Sequence, residues 1–169
     1  MNDRGPKNPP LAIRRAGAAD APELSEIAYA AKRYWGYSEE LLQLWRDDLT
    51  VTADFIASHP VHLAVSDGDV AGFYALSFEG EIAELEHLWV YPPHMGGNVG
   101  RSLFQHALDA AREGGALTLR IASEPNAEGF YLRMGARLVG RVPSRPAGRE
   151  LPLLEVDLVE PAKIAEESG

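Results

Sequence analysis

A chain of 169 residues, 46% hydrophobic and 24% charged, is sized for one globular domain with a sizeable core. Its formal net charge of −9 makes nucleic acid a poor partner, because a phosphate backbone requires clustered Lys and Arg. Zero cysteines exclude disulfides and thiolate chemistry, and no apolar run approaches the length of a membrane span.

With no signal-peptide h-region at the N-terminus, a cytoplasmic location without membrane attachment is expected. Residues 1–10, polar and proline-rich, and residues 161–169 are expected to be tails on a domain of residues 11–160. Leu11 opens a first strand. Asp20, as N-cap, and Pro22 then start a helix that runs to about Tyr34 and ends at Gly36. Ser38 caps a second helix on which Leu41, Leu44, Trp45 and Leu49 share a face. Residues 61–92 alternate and carry the turns "DGD" and "FEGE", which predicts a three-strand antiparallel meander. Gly100 to Gly114 reads as a helix with Leu103, Phe104, Ala107, Leu108 and Ala111 on one side. A strand at "ALTLRIAS" follows, then a short helix that Asn126 starts and Gly135 ends, then two strands in residues 136–142 and 151–159. This order predicts a mixed α/β domain, a central and mostly antiparallel sheet flanked by about four helices. It disfavours a regular βαβ dinucleotide-binding repeat.

The chemistry concentrates at "VYPPHMGGNVGRSLFQHAL", where a strand gives way to a helix through two prolines and closely spaced glycines. A Walker A loop would need a lysine that Gly100-Arg101-Ser102 lacks, and Gly96, Gly97 and Gly100 do not keep the Rossmann G-x-G-x-x-G spacing. Two readings remain: a glycine-rich turn without a ligand, or bared N–H groups at a helix N-terminus holding a pyrophosphate. On the strand ahead of it, Ile82, Glu84, Glu86, Leu88 and Val90 share one face. Two carboxylates there either open to solvent or act on protons, with His87 in reserve if a bulge reverses the parity. Tyr34, Trp35 and Tyr37 gather at the break between the first two helices, available for core packing or for cation–π contact with an amine.

The stretch "LWVYPPHMGGNVGRSLF" resembles the acetyl-CoA-binding motif of the GNAT superfamily of N-acetyltransferases. Val90, Pro92 and Gly100 match, Met95 stands where Gln or Arg is usual, and Asn98 replaces the central glycine. Downstream, "NAEGFYLRMGA" is similar to the family's second segment through Asn126, Gly129, Phe130, Tyr131 and Gly135, with Ala136 in place of an aromatic. The resemblance covers Leu11 to Leu158 and is strongest from Leu85 to Gly140.

It implies a single GNAT-like domain that uses acetyl-CoA as cosubstrate and no metal. Met95, Gly96, Gly97, Asn98, Val99, Gly100, Arg101 and Ser102 would bind the pyrophosphate. Leu88, Trp89 and Val90 would also bind the cofactor, Val90 by pairing through its backbone with the pantetheine arm, and Asn126 would hydrogen-bond the cofactor. Tyr131 would be the general acid for the departing thiolate, leaving Phe130 as the core aromatic, and Glu84 or Glu86 would supply the base. Tyr34, Trp35 and Tyr37 would form a wall for a small-molecule or peptide amine, and a homodimer is compatible with the family. The alternative is a non-catalytic acyl-CoA-binding regulatory domain that keeps the loop and turns nothing over.

Overall fold

A computed structural model describes residues 11–159, so the expected tails at 1–10 and 161–169 lie outside the described residues. The strands are β1 (Leu11–Arg15), β2 (Val61–Ser66), β3 (Asp69–Glu79), β4 (Ile82–Val90), β5 (Thr118–Ala122), β6 (Arg137–Pro143) and β7 (Glu150–Asp157). The helices are α1 (Ala21–Tyr34), α2 (Glu39–Leu44), α3 (Arg46–Leu49), α4 (Ala53–Ser58), α5 (Val99–Glu113) and α6 (Glu128–Arg133). The strands form one mostly antiparallel sheet in the order β1-β2-β3-β4-β5-β7-β6. The mixed α/β architecture is the one expected. The described residues fall into two compact units, one of residues 11–75 with 87–106, the other of residues 76–86 with 107–159.

In the first unit, β1 and β3 flank β2 antiparallel, with Ile13 opposite Ala64 and His62 opposite Tyr74. Asp67 and Gly68, both at positive φ (51° and 82°), close the β2–β3 hairpin as its right-handed twist requires. On α1, Leu24, Ile27, Ala28 and Ala31 recur at helical spacing and are buried, joining Leu63, Phe73 and Ala75 of the sheet in one apolar core. Asp20 precedes α1 but its side chain does not cap that helix. Its carboxylate accepts the Gly17 N–H at 2.8 Å and pairs with Arg14 at 3.0 Å, and that guanidinium holds it below the usual carboxylate range.

Ser38 caps α2 as expected, accepting the Leu41 N–H at 3.3 Å. The second helix then breaks at Trp45, and α4, capped by Thr52, follows where no helix was predicted. Leu42, Trp45 and Leu49 make the buried face, at i, i+3 and i+7, whereas Leu44 is exposed.

In the second unit, β5 and β6 flank β7 antiparallel, with Leu119 opposite Val156 and Leu138 opposite Leu154. β4 runs parallel to β5 only from Ile82↔Thr118 to Glu84↔Arg120. No further pair continues that register among the described residues, although β4 extends to Val90 and β5 to Ala122. Glu84 therefore stands at the last pair before the two strands part.

Candidate active site

The glycine-rich junction in the first unit begins where the Tyr91 N–H bonds the Ala71 carbonyl at 2.8 Å. A 3-10 turn over Pro92–His94 follows, and the Met95 N–H donates back to the Pro92 carbonyl at 3.1 Å. Gly96 then takes φ 83°, a left-handed conformation that bulky L residues avoid. From Gly96 to Arg101 no backbone N–H finds an acceptor among the described residues, and bonding resumes with Ser102 N–H to Asn98 carbonyl at 3.0 Å. Val99, Gly100 and Arg101 are the first turn of α5, whose N–H groups have no partner inside the helix, and that turn holds no acidic residue.

Successive bare donors at the positive end of a 15-residue helix make an anion cradle. A cavity of about 310 Å³ opens against it, lined by Leu11, Ser66, Asp67 and the loop from Pro93 to Val99. The donor set fits a pyrophosphate. It also refines the expected one, because the amides of Met95 and Ser102 are already used and the free run is Gly96 to Arg101.

Tyr34, Trp35 and Tyr37 part company. Tyr34 (58% exposed) and Trp35 (41%) lie at the end of α1 with their rings edge to face at 5.3 Å. Tyr37 instead packs edge-on against buried Trp45 at 4.9 Å. Over both rings sits the ammonium of Lys32, 5.0 Å from Tyr37 and 4.6 Å from Trp45, on a side chain buried in the core. Lys32 is not legible in the sequence, because a lysine on an apolar helix face signals nothing until the aromatics five and thirteen positions on fold over it.

Glu84 is half-buried in the second unit, its Oε1 3.5 Å from Nη1 of Arg120. Burial raises its carboxyl above the usual range; Arg120 opposes this, and Glu86 and Glu79 add to it. Glu86 is exposed, and the Ser77 hydroxyl donates to it at 2.6 Å. His87, the reserve candidate, receives the Trp89 indole N–H at 3.0 Å and has the rings of Phe55 and Phe73 at 5.9 and 5.6 Å.

Tyr131 is buried and Phe130 only half-buried, the reverse of the expected division, because a six-residue helix turns one of two adjacent side chains inward. Burial pushes the Tyr131 phenol well above its usual range, so it stays protonated at neutral pH. Asn126 does not cap α6. Glu124 starts the 3-10 turn before that helix, accepting from the Asn126 backbone at 3.1 Å and from its Nδ2 at 2.8 Å.

Residues 22–136, more than half of the chain, match the acetyltransferase (GNAT) family. The chain is 30% identical over 139 residues to the peptidyl-lysine N-acetyltransferase YjaB of Escherichia coli K12, covering 72% of this chain and 90% of that protein. Its fold is similar to that of a GCN5-related N-acetyltransferase of Rhodopseudomonas palustris, with a TM-score of 0.74, 24% identity, and coverage of 89% and 96% of the two chains. It is similar also to the PaiA N-acetyltransferase of Thermoplasma acidophilum in complex with coenzyme A, with a TM-score of 0.73, 21% identity, and coverage of 88% and 99%. On the family match and the YjaB likeness, with the fold in agreement, the chain belongs to the acetyltransferase (GNAT) family.

Proposed function

We propose that this protein transfers the acetyl group of acetyl-CoA to a primary amine, with Glu84 as base and Tyr131 as acid. The observation that carries the reading is the run of unbonded N–H groups from Gly96 to Arg101 at the head of α5. Acetyl-CoA supplies the acyl group as an activated thioester. Around it, Gly96 to Arg101 hold the pyrophosphate, and the edge of β4 beyond Glu84, unregistered with β5, offers the backbone groups for the pantetheine amides.

Glu84 takes a proton from the acceptor ammonium, directly or through water, which frees the nitrogen to form the C–N bond. As the C–S bond breaks, Tyr131 gives its proton to the sulfur, and the second proton that the nitrogen sheds on becoming an amide restores the phenol, while the first leaves Glu84 to water. Glu84 is preferred to Glu86 because it is half-buried and burial makes its carboxyl more basic, while Glu86 is exposed and accepts from Ser77.

An amine that is cationic before reaction suits the net charge of −9 and the exposed rings of Tyr34 and Trp35. A lysine side chain on a peptide has this chemistry, and the YjaB relative carries peptidyl-lysine in its name. Calorimetric titration with acetyl-CoA and separately with CoA should give dissociation constants of the order of micromolar. Absence of binding to both overturns the reading. A panel of lysine peptides and small amines then follows by thiol release, which is unambiguous because the chain has no cysteine and every thiol is CoA. Binding without thiol release from any amine would favour the non-catalytic acyl-CoA-binding domain instead.

A further inference from the structure

The second unit carries a chain of alternating charges across four strands. Glu84 of β4 meets Arg120 of β5 at 3.5 Å, Arg120 meets Glu155 of β7 at 3.3 Å, Glu155 meets Arg137 of β6 at 3.7 Å, and Arg137 meets Asp157 of β7 at 3.1 Å. The strand registers build it, with Glu84 opposite Arg120, Arg120 opposite Glu155 and Arg137 opposite Glu155. Three carboxylates share two guanidiniums, so neither arginine serves one partner alone.

We propose that Arg120 and Glu155 are positioning residues that set the proton affinity of Glu84, Arg120 by offering it charge and Glu155 by drawing that charge away. The proposal deepens the reading of Glu84 as the base and rests on it for its catalytic meaning. Of the two carboxylates that compete for Arg120, Glu155 has the shorter contact and the more buried side chain, 19% exposed against 33% for Glu84. Arg120 therefore neutralises Glu155 first and Glu84 only in part. The other charged groups acting on Glu84 are Glu86 on its own strand and Glu79 of β3, both of like sign. A carboxyl half-withdrawn from water and half-paired with its arginine keeps the proton affinity a base needs, where a full ion pair would take it away. Arg137 and Asp157 extend the chain: Arg137 engages Glu155 from the far side and so limits its pull on Arg120.

The test is to titrate the Glu84 carboxyl by carbon NMR in the full chain, labelled at glutamate, and to record the pH dependence of kcat/KM alongside. Glu155→Gln should release Arg120 to Glu84 and lower the Glu84 midpoint by about half a pH unit or more, and Arg120→Gln should raise it by a similar amount. Glu155→Asp, which retains the charge, should return the midpoint toward the parent value and guards against a misfolded glutamine variant. Midpoints that stay within about 0.2 pH unit of the parent, or that move in the same direction in both glutamine variants, overturn the proposal. If the NMR midpoints move as expected while the acidic limb of kcat/KM stays fixed, the charge relay stands and Glu84 is not the base. If limb and midpoints move together, both stand.

Discussion

Tyr131 has to reconcile two demands. A general acid must hold its proton at neutral pH, and the burial that raises its phenol ensures that. The same burial makes the phenolate costly, so Tyr131 is a weak acid at equilibrium and can help only if its proton moves as the C–S bond breaks. Its contribution then comes from orientation and belongs at the low end of the general-acid range. Tyr131→Phe keeps the ring and removes the proton. Under steady-state assay kcat should fall about 100-fold, with the dissociation constant for CoA, read by calorimetry, held within about twofold. A fall in kcat of less than about twofold would remove Tyr131 from the chemistry, and a parallel loss of CoA affinity would make it a binding residue.

The loop before α5 is where an element, not a side chain, does the binding, so its test is conformational. Gly96 holds φ 83° with nothing within 4 Å of where a Cβ would stand. Valine there meets no clash but must adopt a backbone that β-branched residues resist. Gly96→Val should therefore leave the fold intact by circular dichroism and weaken CoA binding at least about tenfold, as the donors from Gly97 onward turn away from the cradle. Gly140→Ala is the control, since Gly140 also has open space around it but no positive φ, and its CoA affinity should match the parent. Equal affinity in Gly96→Val would mean the loop geometry is not what binds. This loop was legible in the sequence because its signal is local, as were the Asp67-Gly68 hairpin, the Ser38 cap and the Gly135 stop. What the sequence hid depends on partners brought from elsewhere. Asp20 and Asn126 look like caps, yet Arg14 with Gly17 and Glu124 claim their polar groups. The Arg120–Glu155 pair spans 35 positions and exists only through the register of β5 on β7. The break at Trp45 and the six residues of α4 are too short for periodicity to register.

Acid stability is a property of the whole molecule that one histidine helps to set. His62 on β2 stacks on Tyr74 at 5.4 Å and lies 4.7 Å from the ring of His106, which itself shares a 2.6 Å hydrogen bond with the Tyr74 hydroxyl. Its Nδ1 is buried without a hydrogen-bond partner. Burial lowers its pKa to about 4 from 6.5, with the charges of His106 and Arg15 adding to the effect. The unfolded chain therefore accepts a proton at this ring near pH 6.5 that the folded chain refuses until about pH 4. Stability from this site is complete above pH 6.5, declines as the pH falls through that window, and loses nothing more below about pH 4. The loss should be about 1–2 kcal/mol, less than the full shift implies, because water reaches part of the ring and screens it. His62→Phe preserves the stack on Tyr74, removes the orphaned nitrogen and cannot titrate. Urea unfolding between pH 4 and 6.5 should then show a shallower decline for the variant than for the parent, with the two curves running parallel above pH 7. Equal slopes through the window would mean that His62 takes its proton in the folded state as readily as in the unfolded one, and that the acid sensitivity of the protein lies with its carboxylates.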